Sequence, residues 1–140
     1  PGAPEDDGLE GLLHRTRARI RGLGLDEASA DGLVARHGAD ADHVLELAFA
    51  DPSLAEPVAD GLDYLMAEAV WAVRAELALT LEDVLRRRLH VFYELPDGGL
   101  GVAERVARII AGEPGLGWDE TMLRSELGRY ATAVGMTRAA

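Results

Sequence analysis

Residues 64–88 read YLMAEAVWAVRAELALTLEDVLRRR, and the reading of this stretch decides the fold. Its first part carries alanine or a larger apolar residue on nearly every face, as in a helix surrounded by other helices. This places a central apolar helix over about residues 63–79, with Leu65, Met66, Ala69, Val73 and Leu77 as its main stripe. Thr80, followed three residues later by Asp83, has the form of a capping arrangement that opens a second helix. That helix aligns Leu81, Val84, Leu85, Leu89 and Phe92 and passes through three consecutive arginines.

The charges in this stretch need partners. Arg86 and Arg87 have Glu82 and Asp83 four residues back, in the favourable acid-before-base order. Arg88 has only Val84 there and falls between Leu81, Leu85 and Phe92, while Glu76 projects among the stripe of the preceding helix. An unpaired buried charge costs several kcal/mol or changes protonation, on the order of other buried-ion penalties. The expectation is therefore a Glu76–Arg88 pair across the two helices, with Glu68 as reserve acid. Two other readings compete with ion pairing. Arg86, Arg87 and Arg88 could fork onto a phosphate or other anion, and Glu68 and Glu76 could act as catalytic carboxylates. No nucleophile or metal partner lies near either acid in the sequence, which favours structural ion pairs.

Outward from this stretch the chain continues in helical periods. Leu9, Leu12, Leu13, Thr16, Ile20 and Leu23 recur at helical spacing, with Arg15, Arg17, Arg19 and Arg21 along the edges of the stripe as snorkelling stems. Asp26 can cap a second helix ending near His37-Gly38, and Asp40 a third with Val44, Leu45 and Ala48 inward. Asp51-Pro52 stops that helix, and Pro57 and Gly61 keep the next connection irregular. Pro96-Asp97-Gly98-Gly99 is a turn. A further helix uses Ala103, Val106, Ala107 and Ile110, and a last one starts near Trp118-Asp119 with Leu123, Leu127, Tyr130 and Val134 inward. No segment alternates with period two, so the fold class is all-α, a compact bundle of about six to seven helices around the central one. Residues 1–7, acidic and proline-rich, read as a linker remnant of something longer, and residues 8–138 as one helical domain.

Composition narrows the function. The chain has 140 residues, 48% of them hydrophobic, which is globular rather than disordered composition. Arg74 and Glu76 interrupt the longest apolar run before it reaches the ~20 residues that span a bilayer. A cytoplasmic context is the default expectation. With no cysteine, disulfides and thiolate metal sites are excluded. Lysine is absent as well, which removes a Walker A lysine and Schiff-base chemistry. A net charge of −11 suits solubility and argues against nucleic acid as a partner.

The remaining chemistry is thin. His37, Asp40, Asp42 and His43 cluster ligand-type residues but straddle a helix break and lack dedicated metal spacing, so no metal is expected. Ser29, Ser53 and Ser125 sit in no G-x-S-x-G elbow. Gly22-Leu23-Gly24 and Gly115-Leu116-Gly117 lack the third glycine and the preceding strand of a dinucleotide fold, and read as helix terminators. Trp71 and Trp118 read as core or interface anchors. No catalytic, cofactor-binding or metal residue is assigned.

These residues resemble a known family. Arg36-His37-Gly38, Val44-Leu45-Glu46-Leu47-Ala48, Asp51-Pro52 and Leu54-Ala55-Glu56-Pro57 are similar to the C-terminal domain of FAD-dependent glycerol-3-phosphate dehydrogenases and α-glycerophosphate oxidases. The most specific part is Ala67-Glu68-Ala69-Val70-Trp71-Ala72-Val73-Arg74-Ala75-Glu76 followed by Thr80-Leu81-Glu82-Asp83-Val84-Leu85-Arg86-Arg87-Arg88. It resembles the family's A-E-V-x-x-A-x-x-x-E helix and its T-L-x-D-x-L-x-R-R continuation. Gly117-Trp118-Asp119 resembles the start of the final helix, and the likeness runs over about residues 25–134. His37 stands where the family usually has tyrosine, and Leu89 where it usually has threonine.

The resemblance implies a parent enzyme that oxidises glycerol 3-phosphate to dihydroxyacetone phosphate, with FAD taking the hydride and a quinone or oxygen taking the electrons. It also implies that FAD belongs to the preceding domains, so this segment carries no cofactor and is catalytically silent alone. Its expected partner is the flavin domain of the same polypeptide. The resemblance leaves open, as alternatives, an interface for homo-oligomers or other proteins and, for the parent only, peripheral association with the inner face of the cell membrane. The competing reading is a stand-alone acidic helical module that binds a partner protein.

Overall fold

A computed structural model describes the backbone of residues 8–139 and the side chains of residues 8–137. The all-α expectation is borne out: seven α-helices follow one another, joined by two 3-10 turns and one π-helix, and no strand longer than a single bridge occurs among the described residues. The expected linker at residues 1–7 lies outside the described residues. The chain divides into two compact units, one up to Ala67 and one from Glu68.

In the first unit, α1 (Gly8–Gly22), α2 (Glu27–His37) and α3 (Ala41–Ala50) pack on one another. Ile20, Leu33, Val44 and Leu45 are fully buried, while Leu9, counted in the α1 stripe, is exposed. The edge arginines of α1 do more than snorkel. Arg17 reaches Asp31 at 2.9 Å, Arg19 reaches Asp42 at 3.1 Å, and Arg21 reaches Glu27 at 3.1 Å, so they tie α1 to both neighbours. Asp26 caps α2 through the Ala28 N–H, and Gly38 closes it at φ 56°. Asp40 does not cap α3: it sits inside a 3-10 turn, Gly38–Asp40, and its side chain accepts no capping bond. Asp51 instead caps the next 3-10 turn, Pro52–Ala55, through the Ser53 N–H.

The apolar helix is shorter than its sequence suggests. α4 spans Met66–Ala75, not residues 63–79. At its start, Leu65 pairs with Pro57 and the Met66 N–H reaches the Glu56 carbonyl, holding residues 63–65 out of the helix. At its end, Leu77 adopts a left-handed conformation at φ 59°, and the Ala78 N–H turns back onto the Ala72 carbonyl at 3.0 Å. Apolar composition alone cannot register either event, because both depend on where backbone groups find partners.

The second unit continues α4 with the π-helix Asp83–Arg88, α5 (Val91–Glu94), α6 (Leu100–Ile110) and α7 (Glu120–Ala139). His90, left-handed at φ 58°, separates the π-helix from α5. Leu81, Val84, Leu85, Leu89 and Phe92 are all buried despite this break. Asp97 accepts from the Gly99 and Gly101 N–H groups and so holds the first turn of α6. The Tyr130 hydroxyl of α7 donates to the Gly98 carbonyl at 2.5 Å in the interior. Gly99, at φ 86°, faces that hydroxyl so closely that a Cβ would lie 3.2 Å from it. Asp119 caps α7 through the Met122 N–H at 2.8 Å.

Candidate functional site

The residues singled out in the sequence gather around the link between α4 and α5. Thr80 and Asp83 form a reciprocal capping box. The Thr80 N–H donates to Asp83 Oδ2 at 3.2 Å, and the Asp83 N–H donates to Thr80 Oγ1 at 3.0 Å. The same Asp83 oxygen accepts from the Leu79 N–H at 3.1 Å. Burial pushes the Asp83 carboxyl up, but its bonds to Leu79, Arg87 and Thr80 outweigh this and hold it below its ordinary value.

A carboxylate not singled out in the sequence completes the cap. Glu126, on α7, accepts from the buried Leu81 N–H at 2.9 Å, and Arg129 lies 3.6 Å from its other oxygen. A helix start leaves N–H groups without intrahelical partners, and here side-chain oxygens take those of Leu81 and Asp83. The signal for Glu126 was present: it stands on the inward stripe of α7 between Leu123 and Tyr130, and it is only 7% exposed.

The three arginines have separate acceptors. Arg86 Nη1 donates to Glu82 at 2.8 Å, and its Nε donates to the Tyr93 hydroxyl at 3.1 Å. Its guanidinium also lies 4.6 Å from the centre of the Phe92 ring. The bonds to Tyr93 and Glu82 raise its already high pKa. Arg87 donates to Asp83. Arg88 differs from the expectation. It is exposed rather than buried, and its Nη2 donates to the backbone carbonyl of Glu76 at 3.0 Å, not to the carboxylate. The physical reason is the π-helix. A wider turn advances fewer degrees per residue than the 100° of an α-helix, so residues late in the turn leave the face that α periodicity assigns them. Arg88 thus places a cation beside the carbonyl end of α4, where the helix dipole favours one.

The two acids weighed as catalytic carboxylates, Glu68 and Glu76, occupy different environments. Glu68 is fully buried in α4, whereas Glu76 lies half-exposed beyond its end. In the first unit, Asp42 is taken by Arg19, and His43 lies 3.9 Å from Glu46 at an exposed position. Among the described residues no group of three or more His, Asp or Glu side chains could hold a metal ion. Nor is any helix among them long and apolar enough to cross a membrane.

A surface groove opens beside this link. It measures about 370 Å³ and is lined by Val73, Arg74, Leu77, Leu79 and Pro114, among others. Arg74 is held at its edge by Glu113, at 2.6 Å from Nε and 3.3 Å from Nη2. A second groove of about 370 Å³ shares Leu79 and continues along Trp118, Met122 and Arg129. On the far side of α6 and α7, Glu104, Arg108, Glu120 and Arg124 form a closed alternating ring with contacts of 2.9–3.4 Å.

Comparison with known proteins adds to this geometry. Residues 6–123 match the family described as the C-terminal domain of alpha-glycerophosphate oxidase. The chain is 38% identical over 128 residues to glycerol-3-phosphate dehydrogenase 2 of Mycobacterium tuberculosis, covering 91% of this chain and 22% of that protein. It is 37% identical to the glycerol-3-phosphate dehydrogenase of Mycobacterium leprae over the same shares of both chains. The glycerol-3-phosphate dehydrogenase of a Synechocystis strain is 28% identical over 76% of this chain and 19% of its own length. The chain therefore spans about a fifth of the length of these curated relatives. No solved structure matches it. A match of this extent, on a helical framework with the Thr80–Asp83 box and the arginine tract in place, means that the chain belongs to the family of the C-terminal domain of alpha-glycerophosphate oxidase.

Proposed function

We propose that this chain is the C-terminal helical accessory domain of an FAD-dependent glycerol-3-phosphate dehydrogenase, packing on the flavin domain of the same polypeptide and carrying no catalytic group of its own. The observation that carries the reading is the family match over residues 6–123, together with relatives several times longer that bear the dehydrogenase name. The geometry supports the non-catalytic part. Arg86, Arg87 and Arg88, the group best suited to a phosphate, each bond to an acceptor within the chain. The residues described here do not fit a flavin. Gly22 and Gly24 close α1, whereas Gly115 and Gly117, read in the sequence as a helix terminator, lie in the turn between α6 and α7; neither pair follows a strand, so they offer no strand–turn–helix cradle for a pyrophosphate. In the proposed parent, FAD would accept the hydride from glycerol 3-phosphate, held by residues outside this segment.

The test is to purify the full-length polypeptide encoded in the same reading frame and assay it with glycerol 3-phosphate and an artificial electron acceptor. The expected result is a yellow protein with substrate-dependent reduction of the acceptor. The segment alone is expected to be colourless and inactive. Flavin binding or turnover by the segment alone would overturn the non-catalytic reading. A reading frame with no flavin-binding region would overturn the parent enzyme and favour a stand-alone interaction module.

A further inference from the structure

The second unit exposes an apolar strip that its own packing does not use. Leu77 is 79% exposed, Leu79 60% and Met122 46%, and the two grooves that meet at Leu79 join these residues to Pro114 and Trp118. Scattered exposed leucines are ordinary, but here Leu77 and Leu79 line one groove and Leu79 and Met122 the other.

Leu77 adds an independent observation. Its φ of 59° is a left-handed conformation that glycine adopts freely and a leucine adopts only against steric resistance. Helix ends commonly place glycine in this conformation. Here a leucine bears the strain, and most of its side chain points into water, where it gains nothing from burial within the chain. Backbone strain of this kind clusters at functional sites, where surrounding contacts hold it. The polar groups at the margins already have partners, Arg74 on Glu113 and Glu126 on the Leu81 N–H, so the strip itself offers apolar contact.

The length of the relatives indicates the occupant. They carry about four-fifths of their chain outside the matched part, and the matched family is by description a C-terminal domain. We infer that the strip Leu77–Leu79–Met122, with Trp118 lining the second groove, is the face on which the preceding part of the same polypeptide docks, through aliphatic or aromatic side chains seated in the two grooves. This rests on the reading of the chain as part of a larger enzyme.

The experiment is hydroxyl-radical footprinting of the full-length polypeptide, native and unfolded in urea, with dehydrogenase activity measured on the same sample. Leu77, Leu79 and Met122 are expected to be modified at least about fivefold more slowly in the native protein, as in the water-excluded core of an interface. Rates within about twofold of the unfolded protein would overturn the inference while leaving the dehydrogenase reading to stand on its activity. Protection without dehydrogenase activity would uphold the docking face and remove the parent enzyme. Protection that vanishes on dilution would assign the strip to a second copy and overturn the inference.

Leu77→Gly provides the second measurement, because glycine relieves the left-handed strain while deleting the projecting side chain. A full-length variant with faster modification at Leu79 and Met122 supports docking through Leu77. Unchanged protection there shows that Leu77 does not hold the occupant and overturns its part in the face.

Discussion

Thr16 has its hydroxyl oxygen buried with no hydrogen-bond partner. An unsatisfied buried polar atom costs about 1–3 kcal/mol relative to its bonded state in water, and an apolar group of the same shape avoids that loss. Thr16→Val is therefore expected to stabilise the chain by about 1 kcal/mol, read as a higher urea midpoint with an unchanged slope. Glu126 is the opposite case. Glu126→Leu strands the buried Leu81 N–H and should destabilise by about 1–3 kcal/mol, whereas Glu126→Gln, which keeps an acceptor, should lose less. Equal losses for the two variants would show that the hydrogen bond to Leu81 does not matter. Glu126 was legible as an anomaly, a carboxylate on an apolar stripe, but its partner lies 45 residues away and periodicity does not reach that far.

At the scale of elements, the link between α4 and α5 shows how local rules and backbone geometry divide the work. Thr80 and Asp83 were readable as a cap, because a capping box needs only residues three apart. Asp83→Ala removes the acceptor of two N–H groups and the partner of Arg87, and should destabilise by about 1–2 kcal/mol in chemical denaturation. The pairing of Arg86 with Glu82 and Arg87 with Asp83 was readable for the same local reason. Arg88 was not, because its position depends on a π-helix that an α-period projection does not contain. The end of α4 was also hidden. Residues 76–79 are apolar enough to continue the helix, yet the chain leaves it through Leu77. In the 140-residue chain, Leu77→Gly should raise stability by up to about 1 kcal/mol, since a left-handed leucine carries strain that glycine does not. A lower thermal midpoint for this variant would mean that Leu77 contributes packing that its exposure does not show.

At the scale of the whole molecule, acidity dominates: the net charge is −11 and all cationic side chains other than histidine are arginine. Many of those arginines pair with the chain's own carboxylates, in unit one through Arg17, Arg19 and Arg21 and in unit two through the Glu104–Arg108–Glu120–Arg124 ring. Hydrogen bonds to Arg108 lower the carboxyls of Glu104 and Glu120, with Arg124 adding to both, as the capping contacts lower Asp83. A carboxyl lowered on folding binds protons less readily in the native state than in the unfolded one. Its contribution is present above the unfolded value and is lost as pH falls through the lower, folded value. Stability should therefore hold from neutrality down to the ordinary carboxyl values of 4.5 for Glu and 3.8 for Asp, and fall below them. Thermal midpoints measured across that range check this, and a midpoint that rises on acidification below pH 3.8 would contradict it. High salt should weaken the exposed ring more than the partly buried cap at Asp83.

The sequence by itself determined the helical class, the buried stripes of α6 and α7, the Thr80–Asp83 cap and the family, because each depends on residue types within a few turns of one another. Only the tertiary structure decided that α4 stops at Ala75, that Arg88 caps a carbonyl instead of pairing with a carboxylate, and that Glu126 completes the cap from another helix. It also decided that Leu77 and Leu79 of residues 64–88 face outward. The reason is that backbone N–H and C=O groups must find partners wherever the chain brings them, and those demands can override the period that side-chain hydrophobicity writes into a helix.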